Sequence, residues 1–166
     1  YGMTEGGMFT SNPLEGERRG GTVGFPLPGT EVRVVGDEDR PVGRGEIGHI
    51  QVRGDNVFSG YWQMPEKTQE EFTPDGFFRT GDMGRFDAEG YLAIIGRDKD
   101  LIISGGLNVY PKEIEEAIDA MAGVAESAVI GLPHPDFGEA VTAVVVRRGD
   151  GAGLTAEGII AALKGR

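Results

Sequence analysis

The sequence predicts an α+β fold in two parts, a small twisted β unit over residues 1–97 and a small α+β unit over residues 98–166. Three observations lead there. Turn-forming pairs such as Gly20-Gly21, Pro28-Gly29, Asp75-Gly76 and Glu89-Gly90 recur between short apolar stretches, the pattern of short strands joined by tight turns. Up to about residue 96 the apolar residues favour alternation, the periodicity of half-buried strands. Beyond it a helical spacing enters, with Ile114, Ala117, Ile118 and Met121 at i, i+3, i+4 and i+7.

The elements follow in order. Residues 11–30 are irregular and lead into a strand, Glu31 to Val35, which a polar turn from Asp37 to Gly45 closes. Gly48 to Arg53 alternates as the next strand. Residues 64–72 suit a short helix, with Pro65 in the first turn and Lys67, Glu70 and Glu71 facing water. Asp75-Gly76 turns the chain into a strand from Phe77 to Asp82, and Asp87 with Glu89-Gly90 makes a hairpin to Tyr91 through Ile95. The charged run Gly96 to Asp100 marks a change of character and the expected domain boundary. Leu101 to Ile103 and Leu107 to Val109 flank Ser104-Gly105-Gly106 as a hairpin. Pro111 opens a helix whose wet face is Lys112, Glu113, Glu115, Glu116 and Asp119, stopped by Gly123. Strands from Ala125 to Gly131 and Val141 to Arg147 follow, and Thr155 N-caps a last helix carrying Ile159, Ile160 and Leu163.

Composition narrows the function. Hydrophobic residues make up 39% of the 166, enough to bury a core. A net charge of -11 argues against a nucleic-acid or anionic-membrane surface, which needs clustered Lys and Arg. It leaves room for a small phosphate ligand, which needs a few N–H groups and one or two cations. There is no cysteine, so disulfides, thiolate metal sites and a Cys nucleophile are excluded, and a cytoplasmic location is expected. No apolar run approaches the roughly 20 residues that span a bilayer. The opening Tyr1-Gly2-Met3-Thr4-Glu5 has neither the basic nor the apolar part of a signal peptide. With no initiator Met, the chain is expected to open inside a longer protein.

Four clusters carry chemical signal. In Tyr1 to Glu5 a ring beside a glycine can meet a flat base, a hydroxyl can reach a phosphate, and a carboxylate can hold Mg²⁺; a polar loop is the plain alternative. Gly45 to Gly54, with Gly60-Tyr61-Trp62, reads as structural, with Trp62 in the core. In Phe78-Arg79-Thr80-Gly81-Asp82-Met83-Gly84, Asp82 can accept hydrogen bonds from a ribose diol or simply cap a turn. Gly96-Arg97-Asp98-Lys99-Asp100, followed by Ser104-Gly105-Gly106 and Tyr110 to Glu115, suits an interdomain joint or a solvated turn. His49, in a strand, and His134, in a Pro-flanked loop, read as structural.

In this order the strings resemble the core motifs of the adenylate-forming superfamily: acyl-CoA synthetases, luciferases and the adenylation domains of peptide synthetases. The resemblance covers nearly the whole chain. It implies that Tyr1 stacks on adenine, Thr4 contacts phosphate, Glu5 holds Mg²⁺ and Asp82 binds the ribose hydroxyls. Arg97 would also contact the ribose, Ile94 would belong to the same ATP site, and Lys99 would be the hinge. Ser104, Gly105 and Gly106 match the glycine loop that lines the pantetheine tunnel for CoA, and Met3, Gly7 and Met8 would form part of the acyl pocket wall. Residues 1–97 would then be the end of a large AMP-binding domain and 98–166 part of a small C-terminal domain. The family's phosphate loop, upstream of Tyr1, and its late lysine, beyond Arg166, are absent, so the chain is expected to be a fragment that completes neither half-reaction alone.

Within the superfamily, Thr10 to Arg19, Gly24 to Gly29 and Asn108 to Glu115 look like malonyl-CoA synthetases, whereas Pro133 to Glu139 is common to many CoA ligases. A second carboxylate on malonate calls for a cation; Arg18 and Arg19 are candidates, against the plainer reading of a surface salt-bridge pair. The implied activity joins a small-molecule carboxylate to CoA with ATP and Mg²⁺, through an acyl-adenylate. The alternatives are an adenylation domain that loads a carrier protein and a non-catalytic nucleotide-binding module.

Overall fold

The structure is a computed structural model and describes residues 1–149 and 153–164. It divides into two compact units, Tyr1–Asp98 and Lys99–Arg166.

The first unit opens with a tight hairpin, β1 (Gly2–Met3) and β2 (Gly7–Met8), and a second short pair, β3 (Thr10–Ser11) and β4 (Phe25–Pro26). Its main body is a four-stranded antiparallel sheet in sequential order, β5 (Thr30–Val35), β6 (Gly48–Gly54), β7 (Phe78–Phe86) and β8 (Leu92–Arg97). Val34 pairs with Ile50 and Val32 with Val52, so alternation puts these side chains on one face. There they form a core with Phe9, Phe78 and Leu92. The turn into β8 is an Asx turn, in which Asp87 Oδ1 accepts the N–H groups of Glu89 and Tyr91. One irregularity matters for the site. Gly84 pairs with Ile94 but Met83 with Gly96, so Ile95 is an extra residue in β8, a bulge that sets Asp82 opposite Arg97.

The short helix α1 (Pro65–Glu71) has Pro at its first position, where a missing N–H costs nothing. Trp62, expected in the core, is 86% exposed. Its neighbour Tyr61 turns inward instead, packing on Phe58 at 4.8 Å while its N–H donates to Thr68 Oγ1. Gln63 follows at φ 55° in the turn before α1.

The second unit is a four-stranded antiparallel sheet in the order β10-β9-β12-β11. Its strands are β9 (Ile102–Ser104), β10 (Leu107–Val109), β11 (Val124–His134) and β12 (Gly138–Arg147). Helices α2 (Pro111–Asp119) and α3 (Ala156–Leu163) supply its apolar partners. The core is Ile102, Ile118, Val124 and Val129, with Ile114, Met121, Ile159 and Leu163 packed against it. Gly105 (φ 58°) and Gly106 (φ 82°) form the two-residue turn between β9 and β10, where both central residues need a positive φ. Thr155 Oγ1 accepts the Gly158 N–H at 3.1 Å, the expected N-cap of α3.

Three details of the second unit differ from expectation. α2 ends at Asp119 with Ala120 as its C-cap, before Gly123, and Met121 joins the core from the turn beyond. Glu115, expected to face water, accepts the Val129 N–H at 2.9 Å and ties α2 to β11. The β11–β12 ladder continues to His134 opposite Gly138, so His134 closes a strand rather than lying in a loop. Among the described residues no helix is long and apolar enough to cross a membrane.

Candidate functional site

Asp82 is the most deeply set of the candidate charged side chains, 7% exposed in β7. Its Oδ2 accepts the Tyr1 hydroxyl at 2.6 Å, and Arg97 Nε lies 3.4 Å from its Oδ1. Its N–H donates to Thr80 Oγ1, whose own hydroxyl donates to the Ile50 carbonyl. The carboxylate is therefore oriented from the backbone outward, with a neutral donor on one oxygen and a cation beside the other. Burial, and then the hydrogen bond to Asp82, push the Tyr1 phenol well above its usual pKa, so Tyr1 stays a donor at neutral pH. Its carbonyl accepts the N–H groups of Phe9 and Thr10, and its ring packs edge-on against Phe9 at 5.9 Å. Ile94 is half-buried and packs against the same core.

Thr4 and Glu5 occupy the turn of the β1–β2 hairpin, closed by the Gly6 N–H to the Met3 carbonyl. A Cβ on Gly2 would stand 1.9 Å from the Gly7 carbonyl oxygen, so this hairpin closes only around glycine. Asn56 Nδ2 donates to the carbonyls of Gly6 and Met8 and fastens the hairpin to the end of the main sheet. Glu5 Oε1 accepts the Tyr61 hydroxyl at 3.2 Å, and Thr4 is exposed. Of the expected acyl-wall residues, Met3 packs on the core, Gly7 is exposed and Met8 is 56% exposed, all three on the paired strands of the hairpin.

Among the described residues no cluster of three or more His, Cys, Asp or Glu stands ready to hold a metal. Glu5 fits Mg²⁺ all the same: it offers a hard oxygen at an accessible hairpin tip, and Mg²⁺ commonly takes one or two carboxylates with waters and phosphate oxygens.

Lys99 is exposed in a 3-10 turn, Asp98–Asp100, that carries the chain from one unit to the next. His49 Nδ1 lies 3.8 Å from Asp98 Oδ1. Ser104, Gly105 and Gly106 lie at the tip of the β9–β10 hairpin in the second unit, followed by Leu107 at 70% exposure. Arg18 is exposed. Arg19 is engaged elsewhere, ion-paired with Glu17 and Asp87 at 3.1 Å and Glu89 at 3.2 Å, and stacked over Tyr91 at 4.4 Å. It clamps its loop to the β7–β8 turn, which is the salt-bridge reading of that residue.

The structure thus gathers Tyr1, Asp82 and Arg97 into one constellation, and Thr4 and Glu5 into a hairpin tip in the same unit. Sequence reasoning missed Tyr61 and Asn56, which support that tip. For Tyr61 a signal existed, since a tyrosine has an apolar body and a polar handle that seeks a partner when buried. For Asn56 there was none. Chemically, a buried carboxylate flanked by a guanidinium suits a vicinal diol, and a carboxylate at a hairpin tip suits a cation neutralising phosphates.

The chain matches the AMP-binding enzyme model over residues 1–62 and the AMP-binding enzyme C-terminal domain model over residues 113–166, together more than half of its length. It is 47% identical to the malonate–CoA ligase of Arabidopsis thaliana over 88% of this chain and 24% of that one. It is also 47% identical to the sulfoacetate–CoA ligase of Cupriavidus necator, over 89% of this chain and 29% of that one. Among solved structures it superposes on ATP-bound MatB from Rhodopseudomonas palustris with a TM-score of 0.96 and 58% identity, covering 100% of this chain and 33% of that one. The chain therefore spans about a quarter to a third of the length of the proteins it matches. Its two matched segments and the fold they share with MatB leave one assignment: the chain belongs to the AMP-binding enzyme family.

Proposed function

We propose that this chain is part of a longer ATP-dependent carboxylate–CoA ligase, with residues 1–97 closing the large domain and residues 98–166 forming part of the small one. The observation that carries this reading is the Tyr1–Asp82–Arg97 constellation. Asp82 accepts the ribose hydroxyls, Arg97 steadies that carboxylate and meets the ribose from the exposed side, and the Tyr1 ring and Ile94 flank the base. Thr4 binds a phosphate oxygen, and Glu5, oriented by Tyr61, holds Mg²⁺. Bound Mg²⁺ supplies neutralisation of the triphosphate charge. Met3, Gly7 and Met8 line one side of the acyl group. Ser104, Gly105 and Gly106 receive the CoA arm, where the absence of side chains on two residues lets a slender chain approach the backbone. None of these residues is a covalent nucleophile, so catalysis by this chain is positioning and charge stabilisation.

For the acyl group we propose malonate. One feature supports a short acid with a second anionic group: the malonate–CoA and sulfoacetate–CoA ligases, both at 47% identity. Arg19, held in its own ion pairs, is not the cation that meets that second anion. Pyrophosphate release and thioester formation, measured for the longer protein across malonate, sulfoacetate, acetate and octanoate, test both parts. Malonate is expected to lead. Octanoate in the lead overturns the acyl assignment, and no pyrophosphate release with any acid overturns the ligase reading.

A further inference from the structure

The glycine loop is held from one side by the turn that joins β11 to β12. The Gly105 N–H donates to the Phe137 carbonyl at 2.9 Å and the Ser104 hydroxyl to the Glu139 carbonyl at 2.7 Å. The third tie is made by a side chain, with the Ile103 N–H donating to Glu139 Oε2 at 2.7 Å. β9 meets β12 through the single register pair Ser104 and Gly138, so the Glu139 carboxylate provides an acceptor where the strand ladder provides none. A charged acceptor makes that bond stronger than the main-chain bond it replaces.

The carboxylate reaches Ile103 by lying across Gly131. A Cβ on Gly131 would stand 2.4 Å from Glu139 Oε1 and 2.8 Å from its Cδ. The φ of Gly131 is not positive, so glycine is needed here for space rather than for conformation. The ring of Phe137, stacked on His134 at 4.9 Å, covers Gly105, whose added Cβ would meet it at 3.6 Å. Among the described residues Glu139 forms no ion pair. Two consecutive glycines have the widest conformational choice of any dipeptide, so the shape of this loop must be imposed from outside it.

We propose that Glu139 is a positioning residue for thioester formation: its carboxylate, seated over Gly131, fixes β9 and hence the loop Ser104–Gly106 in the shape that accepts the CoA thiol arm. This rests on the ligase reading given above. The adenylating groups Tyr1, Glu5, Asp82 and Arg97 lie in the other unit, so loss of the Glu139 tie separates the two half-reactions.

The test uses Glu139→Ala, Glu139→Gln and Gly131→Ala in the longer ligase. Single-turnover pyrophosphate release stays within about twofold of the parent, while acyl-CoA formation from the preformed adenylate falls by about 10- to 100-fold in Glu139→Ala and Gly131→Ala. Glu139→Gln keeps a carbonyl acceptor for the Ile103 N–H and recovers most of the rate. In the 166-residue chain itself, amide hydrogen exchange at Ile103 and Gly105 speeds up in Glu139→Ala. Thioester formation unchanged in Glu139→Ala overturns the proposal. So do equal losses in both half-reactions with a lowered melting temperature, which would make Glu139 a general support of its unit. If the parent itself forms no adenylate, the ligase reading fails, and the exchange measurement still decides whether Glu139 clamps the loop.

Discussion

The Tyr1 hydroxyl donates to Asp82 Oδ2 at 2.6 Å, joining two residues 81 positions apart in the sequence. This bond links the N-terminal hairpin to the β7–β8 edge of the main sheet, and with Arg97 it leaves Asp82 oriented before any ligand arrives. Asp82→Ala removes the acceptor for a bound diol and leaves the Tyr1 hydroxyl without its partner. In the longer ligase ATP binding is expected to weaken by about 1–3 kcal/mol, the range for a buried polar group left unsatisfied. Isothermal titration reads this, and parental affinity in the variant removes Asp82 from the ribose site.

Tyr61 makes a narrower prediction. Its hydroxyl reaches Glu5 Oε1 at 3.2 Å, and burial, followed by that carboxylate, raises its pKa above that of a free phenol. Tyr61→Phe keeps the ring against Phe58 and removes only the donor. Glu5 then loses its orientation, and the Mg²⁺ concentration for half-maximal pyrophosphate release is expected to rise by an amount equivalent to about 0.5–1.5 kcal/mol. The melting temperature should hardly move. An unchanged Mg²⁺ requirement would separate Glu5 from the metal.

A third prediction concerns pH. Hydrogen bonds from Arg33, and then from Thr73, hold the Asp75 carboxyl down to about 2. Arg33 reaches it at 2.7 Å while lying over the Phe77 ring at 3.8 Å. The unfolded carboxyl titrates at about 3.9, so the folded pKa is depressed. Its contribution to stability is therefore complete above about pH 4 and is lost as pH falls toward 2. Carboxyl chemical shifts should give Asp75 a midpoint near 2, and Arg33→Ala should move it up toward the ordinary value. A midpoint unaffected by Arg33→Ala would assign the depression to Thr73 alone.

The strands were legible where one face is buried: Val32 and Val34 against Val52 and Ile50 alternate in the sequence as they do in the sheet. The pairing of Asp82 with Arg97 was not, because it depends on Ile95 as an extra residue in β8, and inserting one residue changes every partner beyond it. Trp62 and Tyr61 show the same limit. Trp62 was expected in the core, but Tyr61 packs on Phe58 and Trp62 lies exposed. Pro133 and His134 looked like loop because proline lacks a ladder donor. β11 is an edge strand, where that loss is tolerated. Glu5 and Asp82 became candidates through their chemistry and, with Arg97, through the resemblance of short strings, whereas Tyr61 and Asn56 make contacts across about fifty residues that no string connects.

The last prediction is about Lys99. It lies in the 3-10 turn Asp98–Asp100, where the chain passes between its two units, and we propose it as the hinge of the longer ligase. Hinges confine a large rotation to the φ and ψ of a few residues. Proline fixes its own φ near about -65° and drives the preceding residue, here Asp98, away from helical conformations. A 3-10 turn uses a φ close to the value proline imposes, so position 99 accepts it in one pose at the cost of strain at Asp98, which opens that turn, while rotation about its own φ is removed. Lys99→Pro is therefore expected to retain part of its adenylation activity, while CoA transfer falls roughly tenfold further, because the second step needs the rearrangement. A folding defect would lower both steps together and reduce the melting temperature. Single-turnover pyrophosphate release, set beside acyl-CoA formation from the preformed adenylate, distinguishes the two. Equal losses at an unchanged melting temperature would make Lys99 an ordinary surface lysine and move the pivot elsewhere in the chain.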